Sequence, residues 1–150
     1  MKKIMIVDDN YLSAEGIEKN IDWETLNAEI IHVCYNGTSA IEAMKKEPAD
    51  LIISDIEMPD LDGISMSRQA LEINPMVKII LISAYDKFEY ARRALLLGAL
   101  DYIEKPLDYA YLIQKLKNAF ALMEKEQKNL QLLKQSRPLL TEKFFREITH

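Results

Sequence analysis

Five short apolar runs, each ending in polar residues and separated by stretches of helical spacing, constrain this chain more than any other feature. They are Ile4-Met5-Ile6-Val7, Glu29 to Cys34, Leu51-Ile52-Ile53-Ser54-Asp55, Lys78 to Ser83 and Asp101-Tyr102-Ile103. A strand covered on both faces reads as a nearly unbroken apolar run rather than as an alternating one. Helices are expected between the runs. The first spans Tyr11 to Ile21, with Leu12, Ile17 and Ile21 as its apolar positions and Ser13 or Asn10 as its cap. The second spans Gly37 to Lys46, with Thr38 or Ser39 near its start, Ile41 and Met44 inward, and Pro48 closing it. A third spans Gly63 to Ile73 and stops before Asn74-Pro75, and a fourth spans Phe88 to Leu97 and stops at Gly98. A long helix follows Pro106. Strict alternation of this kind predicts an α/β fold, a doubly wound five-stranded parallel sheet with helices on both faces and right-handed crossovers.

In an open parallel sheet, ligands bind outside the carboxyl ends of the strands. The residues expected there are Asp8-Asp9 after the first strand, Asp55 at the end of the third, Ser83 at the end of the fourth, and Tyr102 with Lys105-Pro106 at the fifth. Each has a bland reading: an Asp pair often caps a helix, Asp55 could cap a turn, and Lys-Pro is a common loop dipeptide. Together they are not what a core requires. Three crowded carboxylates repel and raise one another's pKa unless a counter-charge is present. A hard divalent cation such as Mg²⁺, which takes carboxylate and phosphate oxygens, answers that need. Such an ion makes a carboxylate nucleophile toward a phosphodonor plausible, with Lys105 supplying a second positive charge and Ser83 a hydrogen bond.

The set Val7-Asp8-Asp9, Ser54-Asp55-Ile56-Glu57-Met58-Pro59, Asp62-Gly63, Ser83-Ala84 and Tyr102-Ile103-Glu104-Lys105-Pro106 resembles the receiver domain of bacterial two-component response regulators. The resemblance covers about the first 120 residues and implies a flavodoxin-like or CheY-like fold, to which the residues from Tyr109 to about Gln135, free of Gly and Pro, add an extended C-terminal helix. It implies that Asp55 is the phosphoacceptor, that Asp8, Asp9, Asp55 and the backbone carbonyl of Glu57 hold Mg²⁺, and that Ser83 and Lys105 contact the phosphoryl group. Tyr102 is implied as the switch aromatic, and Lys105-Pro106 as a cis bond. Glu57 and Tyr85 are the expected tuners of the phosphorylated lifetime. The implied partner is a sensor histidine kinase. Asp22-Trp23 and Ser83-Ala84-Tyr85-Asp86-Lys87-Phe88-Glu89-Tyr90-Ala91 further resemble receivers joined to AraC-type helix-turn-helix domains. DNA would then be met only through an output domain absent from this chain, expected after residue 150.

Composition agrees with a cytoplasmic signalling domain. Hydrophobic residues make up 49% and charged residues 29%, an ordinary globular balance, and the net charge of -5 gives nonspecific DNA binding no electrostatic footprint. One cysteine, Cys34, excludes an internal disulfide and a multi-cysteine zinc site. Met1-Lys2-Lys3 opens like a signal peptide, but Asp8-Asp9 ends the apolar stretch at once, and no run is long enough to span a membrane. Residues 1–120 are expected to form the receiver domain and 121–150 a helical linker toward the output domain. The last helix, Tyr109 to about Gln135, carries Leu112, Leu116, Ala119, Met123, Leu130 and Leu133 in steps of mostly three and four, with Glu126 interrupting the seam. The first half is expected to cover the receiver sheet, and the second half, which projects further, suggests a homodimer through the C-terminal helix, the alternative being an amphipathic linker helix that packs back on its own chain. Leu139, Leu140, Phe144, Phe145 and Ile148 suggest a further short helix.

Two other functions compete. A haloacid-dehalogenase-type phosphatase also uses Asp, Ser or Thr, Lys and Mg²⁺. It needs Asp-x-Asp after its first strand, whereas here the pair is adjacent and Asn10 follows. A degenerate receiver that only binds a partner would be expected to lack one of the chemical positions, and all are filled. The expected role is therefore a signalling phosphoacceptor that catalyses only its own phosphotransfer and dephosphorylation.

Overall fold

The computed structural model describes residues 1–84, 88–99 and 101–136. Ten elements alternate along the chain: β1 (Lys2–Val7), α1 (Tyr11–Asn20), β2 (Ala28–Cys34), α2 (Gly37–Lys46), β3 (Leu51–Asp55), α3 (Gly63–Ile73), β4 (Lys78–Ser83), α4 (Phe88–Leu97), β5 (Asp101–Glu104) and α5 (Tyr109–Ser136). The strands form one parallel sheet in the order β2-β1-β3-β4-β5. The expected doubly wound α/β fold is therefore present, as is the extended C-terminal helix. The chain divides into two compact units, Met1–Lys117 and Asn118–His150.

Burial on both faces explains the apolar runs. Met5, Val7, Ile52, Ile79 and Leu81 join one core cluster with Ala40, Ile41 and Met44 of α2 and Ile64, Met66 and Ala70 of α3. Side chains alternate across a strand, so Ile4, Ile6, Ile53, Ile80 and Ile82 point to the other face, where they are equally buried. Neither face can carry a polar side chain cheaply, so chemistry is displaced to the ends of the strands. The order 2-1-3-4-5 places the switch in winding direction between β1 and β3, which opens a crevice above their carboxyl ends.

Several boundaries differ from the sequence reading. The inward stripe of α1 is Ala14, Ile17 and Ile21; Leu12 lies off it and is 80% exposed. Of the two caps the sequence offers for α1, Asn10 is the one used, accepting from the amides of Leu12 (3.0 Å) and Ser13 (3.2 Å). Asn36, not Thr38 or Ser39, caps α2, because Ser39 is itself the amide donor, at 2.8 Å. Glu47 is the C-cap of α2, one residue before Pro48. β2 begins at Ala28, and β5 runs to Glu104, which pairs with Ser83. Tyr102 therefore lies within β5 rather than at its end. Gly98 follows α4 at φ 98°. The apolar residues after position 136 lie outside the described residues. Among the described residues no helix is long and apolar enough to cross a membrane.

Candidate functional site

Three backbone ladders, β1–β2, β3–β4 and β4–β5, carry the chain to the strand ends. The amide of Asp8 donates to the carbonyl of Cys34 at 3.0 Å and that of Ile56 to the carbonyl of Ile82 at 2.9 Å, so both strands remain paired up to their last polar residue. The amide of Lys105 donates to the carbonyl of Ser83 at 2.8 Å, which carries the β4–β5 pairing one step beyond β5. Lys105 thereby reaches the edge where Asp8 and Asp55 end their strands. The Lys105–Pro106 bond is cis.

The carboxylate oxygens of Asp8, Asp9 and Asp55 all lie within 4.8 Å of one another. Asp8 is 2% and Asp55 7% exposed, while Asp9 is open to solvent. The Lys105 ammonium lies 3.3 Å from Asp8 Oδ2 and 3.3 Å from Asp55 Oδ2. A cavity of about 480 Å³ is lined by Asp9, Asn10, Asp55, Glu57, Ala84 and Lys105. A neighbouring cavity of about 310 Å³ brings Asp8 and Lys105 together with Ser13, Ile17 and Tyr109.

Of the residues singled out in the sequence, the structure gathers Asp8, Asp9, Asp55 and Lys105 directly, and Glu57 borders the same cavity. Ser83 stands fully buried at the end of β4, one residue before Ala84 of the cavity wall. Tyr102 is half-buried, packs against the core cluster and lines a separate cavity with Ile103, Glu104, Pro106, Asp108 and Tyr111. Tyr85 lies outside the described residues. Trp23 is buried, and its indole N–H donates to the Glu18 carbonyl at 3.1 Å, a packing role at the end of α1. Sequence reasoning missed Asn10 as part of the cavity wall. It also missed Asp60, whose carboxylate accepts from the amides of Gly37 and Thr38.

Electrostatics follow from burial and crowding. Burial raises the Asp8 carboxyl above 3.8, opposed by the Asn10 amide and by Lys105 and reinforced by the charge of Asp55. Burial likewise raises Asp55, opposed by Lys105 and the Glu57 amide, while the charge of Asp9 adds to the rise. Burial pulls Lys105 down, yet the charges and hydrogen bonds of Asp55 and Asp8 together outweigh it and its pKa is raised. With all four groups ionised, three negative charges face one positive. The excess equals the charge of one divalent cation. All the side-chain donors are oxygens, as Mg²⁺ requires, so the residues present fit that ion.

The acid side of this balance is measurable. A carboxyl whose folded pKa is raised lowers stability once it must ionise: the penalty is absent below 3.8 and complete above the raised folded pKa. In EDTA, Asp55→Asn should raise the thermal midpoint by a few degrees at neutral pH, about 1 kcal/mol for a domain of this size. The gain should shrink as pH falls toward 4 and should also shrink when millimolar Mg²⁺ is added. Thermal melts of both proteins across pH check it.

Residues 4–117 match the response regulator receiver domain family. The chain is 30% identical over 126 residues to the uncharacterized transcriptional regulatory protein YesN of Bacillus subtilis, covering 84% of this chain and 34% of YesN. It spans less than half the length of the curated relatives it matches. Among solved structures it is similar to the REC domain of AraT, a response regulator from Geobacillus stearothermophilus, with TM-score 0.79 and 33% identity over 84% of this chain and 98% of that one. It is also similar to a two-component transcriptional regulator AraC from Clostridium phytofermentans, with TM-score 0.75 and 31% identity over 86% of this chain and 99% of that one. The haloacid-dehalogenase alternative is not supported, since the family match is to receiver domains and no Asp-x-Asp follows β1. The chain belongs to the response regulator receiver domain family and is a receiver domain of two-component signal transduction.

Proposed function

We propose that the chain accepts a phosphoryl group on Asp55 from a sensor histidine kinase and passes the change to an attached, DNA-binding transcriptional output. The observation that carries this reading is the placement of Asp55 at the floor of the cavity, beside Asp8 and Asp9 and in contact with Lys105. Asp8, Asp9, Asp55 and the backbone carbonyl of Glu57 would hold Mg²⁺, which when bound neutralises charge on the transferring phosphoryl group. An oxygen of Asp55 attacks phosphorus, the bond from phosphorus to the donor nitrogen breaks, and an acyl phosphate forms. The Lys105 ammonium, 3.3 Å from Asp55 Oδ2, is placed to pair with a phosphoryl oxygen. The Ser83 hydroxyl offers that group a hydrogen bond. Water then returns the carboxylate, and Glu57 and Tyr85 tune how soon. Exposed Tyr11 and Leu12 at the start of α1 are suited to meet the donor protein. A cytoplasmic location fits this partner and the reduced Cys34.

The test is chemical. Acetyl phosphate with Mg²⁺ should add one phosphoryl group, read by intact mass, and Asp55→Asn should abolish it. Asp9→Ala should weaken both labelling and Mg²⁺ binding, which should be of about millimolar strength because water keeps several positions. Labelling that persists in EDTA contradicts the metal role.

Phosphorylation also reshapes the domain in this reading. Drawing Ser83 toward the phosphoryl group vacates space beside β4 and lets Tyr102 turn inward, which alters the surface of α4, β5 and α5. Residues 1–120 act as the receiver and 121–150 as the linker toward the output. On α5 Leu130 and Leu133 remain exposed, as a pairing seam requires. Beryllofluoride should shift the chain toward a homodimer in sedimentation, and removal of residues 124–150 should weaken that shift. An assembly state indifferent to the analogue contradicts the coupling.

A further inference from the structure

Amide N–H groups in the first turn of a helix have no partner within it. In α2 the Asn36 side chain satisfies only that of Ser39. Those of Gly37 and Thr38 donate to Asp60, at 3.3 Å to Oδ1 and 3.2 Å to Oδ2. Asp60 belongs not to α2 but to the loop between β3 and α3. Its charge suits the positive end of a helix. The Thr38 hydroxyl, with smaller help from the amides of Leu61, Thr38 and Gly37, outweighs desolvation and holds its carboxyl down to about 2. Gly37 permits the approach: a β-carbon there would overlap the carbonyl oxygen of Leu61 and lie 2.7 Å from the β-carbon of Leu61. The same loop is fixed at its near end by the amide of Gly63 on the carbonyl of Ile56, at 2.7 Å. Asp62 fixes it to α3 by accepting from the Ser65 amide at 2.8 Å.

We infer that Asp60 is a positioning residue for the metal site, setting the backbone carbonyl of Glu57 by tying the outer part of its loop to α2. This rests on the Mg²⁺ reading of Asp8, Asp9, Asp55 and Glu57. A carboxylate can rotate to find an ion, but a backbone carbonyl is aimed only by the conformation of its loop. Mg²⁺ demands near-octahedral geometry at about 2.0–2.1 Å, so a loop free to shift by less than an ångström loses that ligand. The Glu57 amide contact to Asp55 Oδ1, 3.4 Å long, and the Gly63–Ile56 bond hold the near end, and Met58 and Leu61 pack against the core, while Asp60 supplies the polar tie from the outer part of the loop to α2.

Asp60 also caps α2, so the test must separate positioning from stability. Asn36→Ala removes a cap from the same helix without touching the loop. Both Asp60→Ala and Asn36→Ala should lower the thermal midpoint. Only Asp60→Ala should weaken Mg²⁺ binding, by roughly tenfold, as loss of an outer-shell partner does. NMR titration of the full chain with MgCl₂ reads this directly. Labelling by acetyl phosphate should show the same split, with half-saturating Mg²⁺ raised and the rate at saturating Mg²⁺ largely retained. Asp60→Ala binding Mg²⁺ as the parent does, or Asn36→Ala losing as much affinity, overturns the inference while leaving the metal site intact. A parent chain that binds no Mg²⁺ overturns both.

Discussion

Crowding of Asp8, Asp9 and Asp55 at one edge of the sheet sets the terms for the structure around it. Two of the three carboxylates are buried, and burial is the largest cause of the rise in both. One lysine shared between Asp8 and Asp55 offsets part of that cost and leaves an excess of negative charge. A domain of this size has only a few kcal/mol of stability to spare. An arrangement that holds like charges together is therefore kept for what it can bind. Charges fixed in advance also need little reorganisation when a phosphoryl group arrives.

The remainder of the edge supports those charges by satisfying backbone groups. Asn10 caps α1 directly after the Asp pair, and its own amide donates to Asp8 Oδ1 at 2.9 Å. Asp62 caps α3 directly after the loop that follows Asp55, and Asp60 in that loop reaches across to α2. Gly63 has no room for a side chain, since a β-carbon there would overlap the carbonyl oxygen of Asp55 and lie 2.9 Å from the α-carbon of Ile56. The residues that begin the helices are thus the same ones that fix the backbone around the site.

Legibility in the sequence followed this physics. β3 and β4 could be read to the residue because burial on both faces leaves a continuous apolar run that a polar residue ends. The site was legible because chemistry in such a sheet is confined to strand ends, where Asp8, Asp55 and Lys105 indeed meet. Helix starts at Tyr11, Gly37, Gly63, Phe88 and Tyr109 were legible too, but the capping side chains were harder: Asn36 and Thr38 are both capping residues, and only the backbone conformation at Asn36 decides between them. Leu12 looked inward because apolar character alone was counted, whereas the stripe of α1 is set by Ala14 and Ile17. Asp60 was illegible because its partners, 22 and 23 residues away, are brought to it only by the packing of α2 beside α3. One hint was available: Asn36 has a single acceptor oxygen and cannot satisfy every free amide of its helix.

The central claim is that the carboxylate at the end of β3, among its three neighbours in charge, is the one that reacts. Brief reaction with acetyl phosphate and Mg²⁺, then borohydride reduction of the acyl phosphate and peptide mass mapping, identifies the reacting residue without any substitution. The account predicts conversion of residue 55 alone to homoserine. Conversion at residue 8, 9, 60 or 62, or stoichiometric phosphorylation with residue 55 left intact, would contradict it.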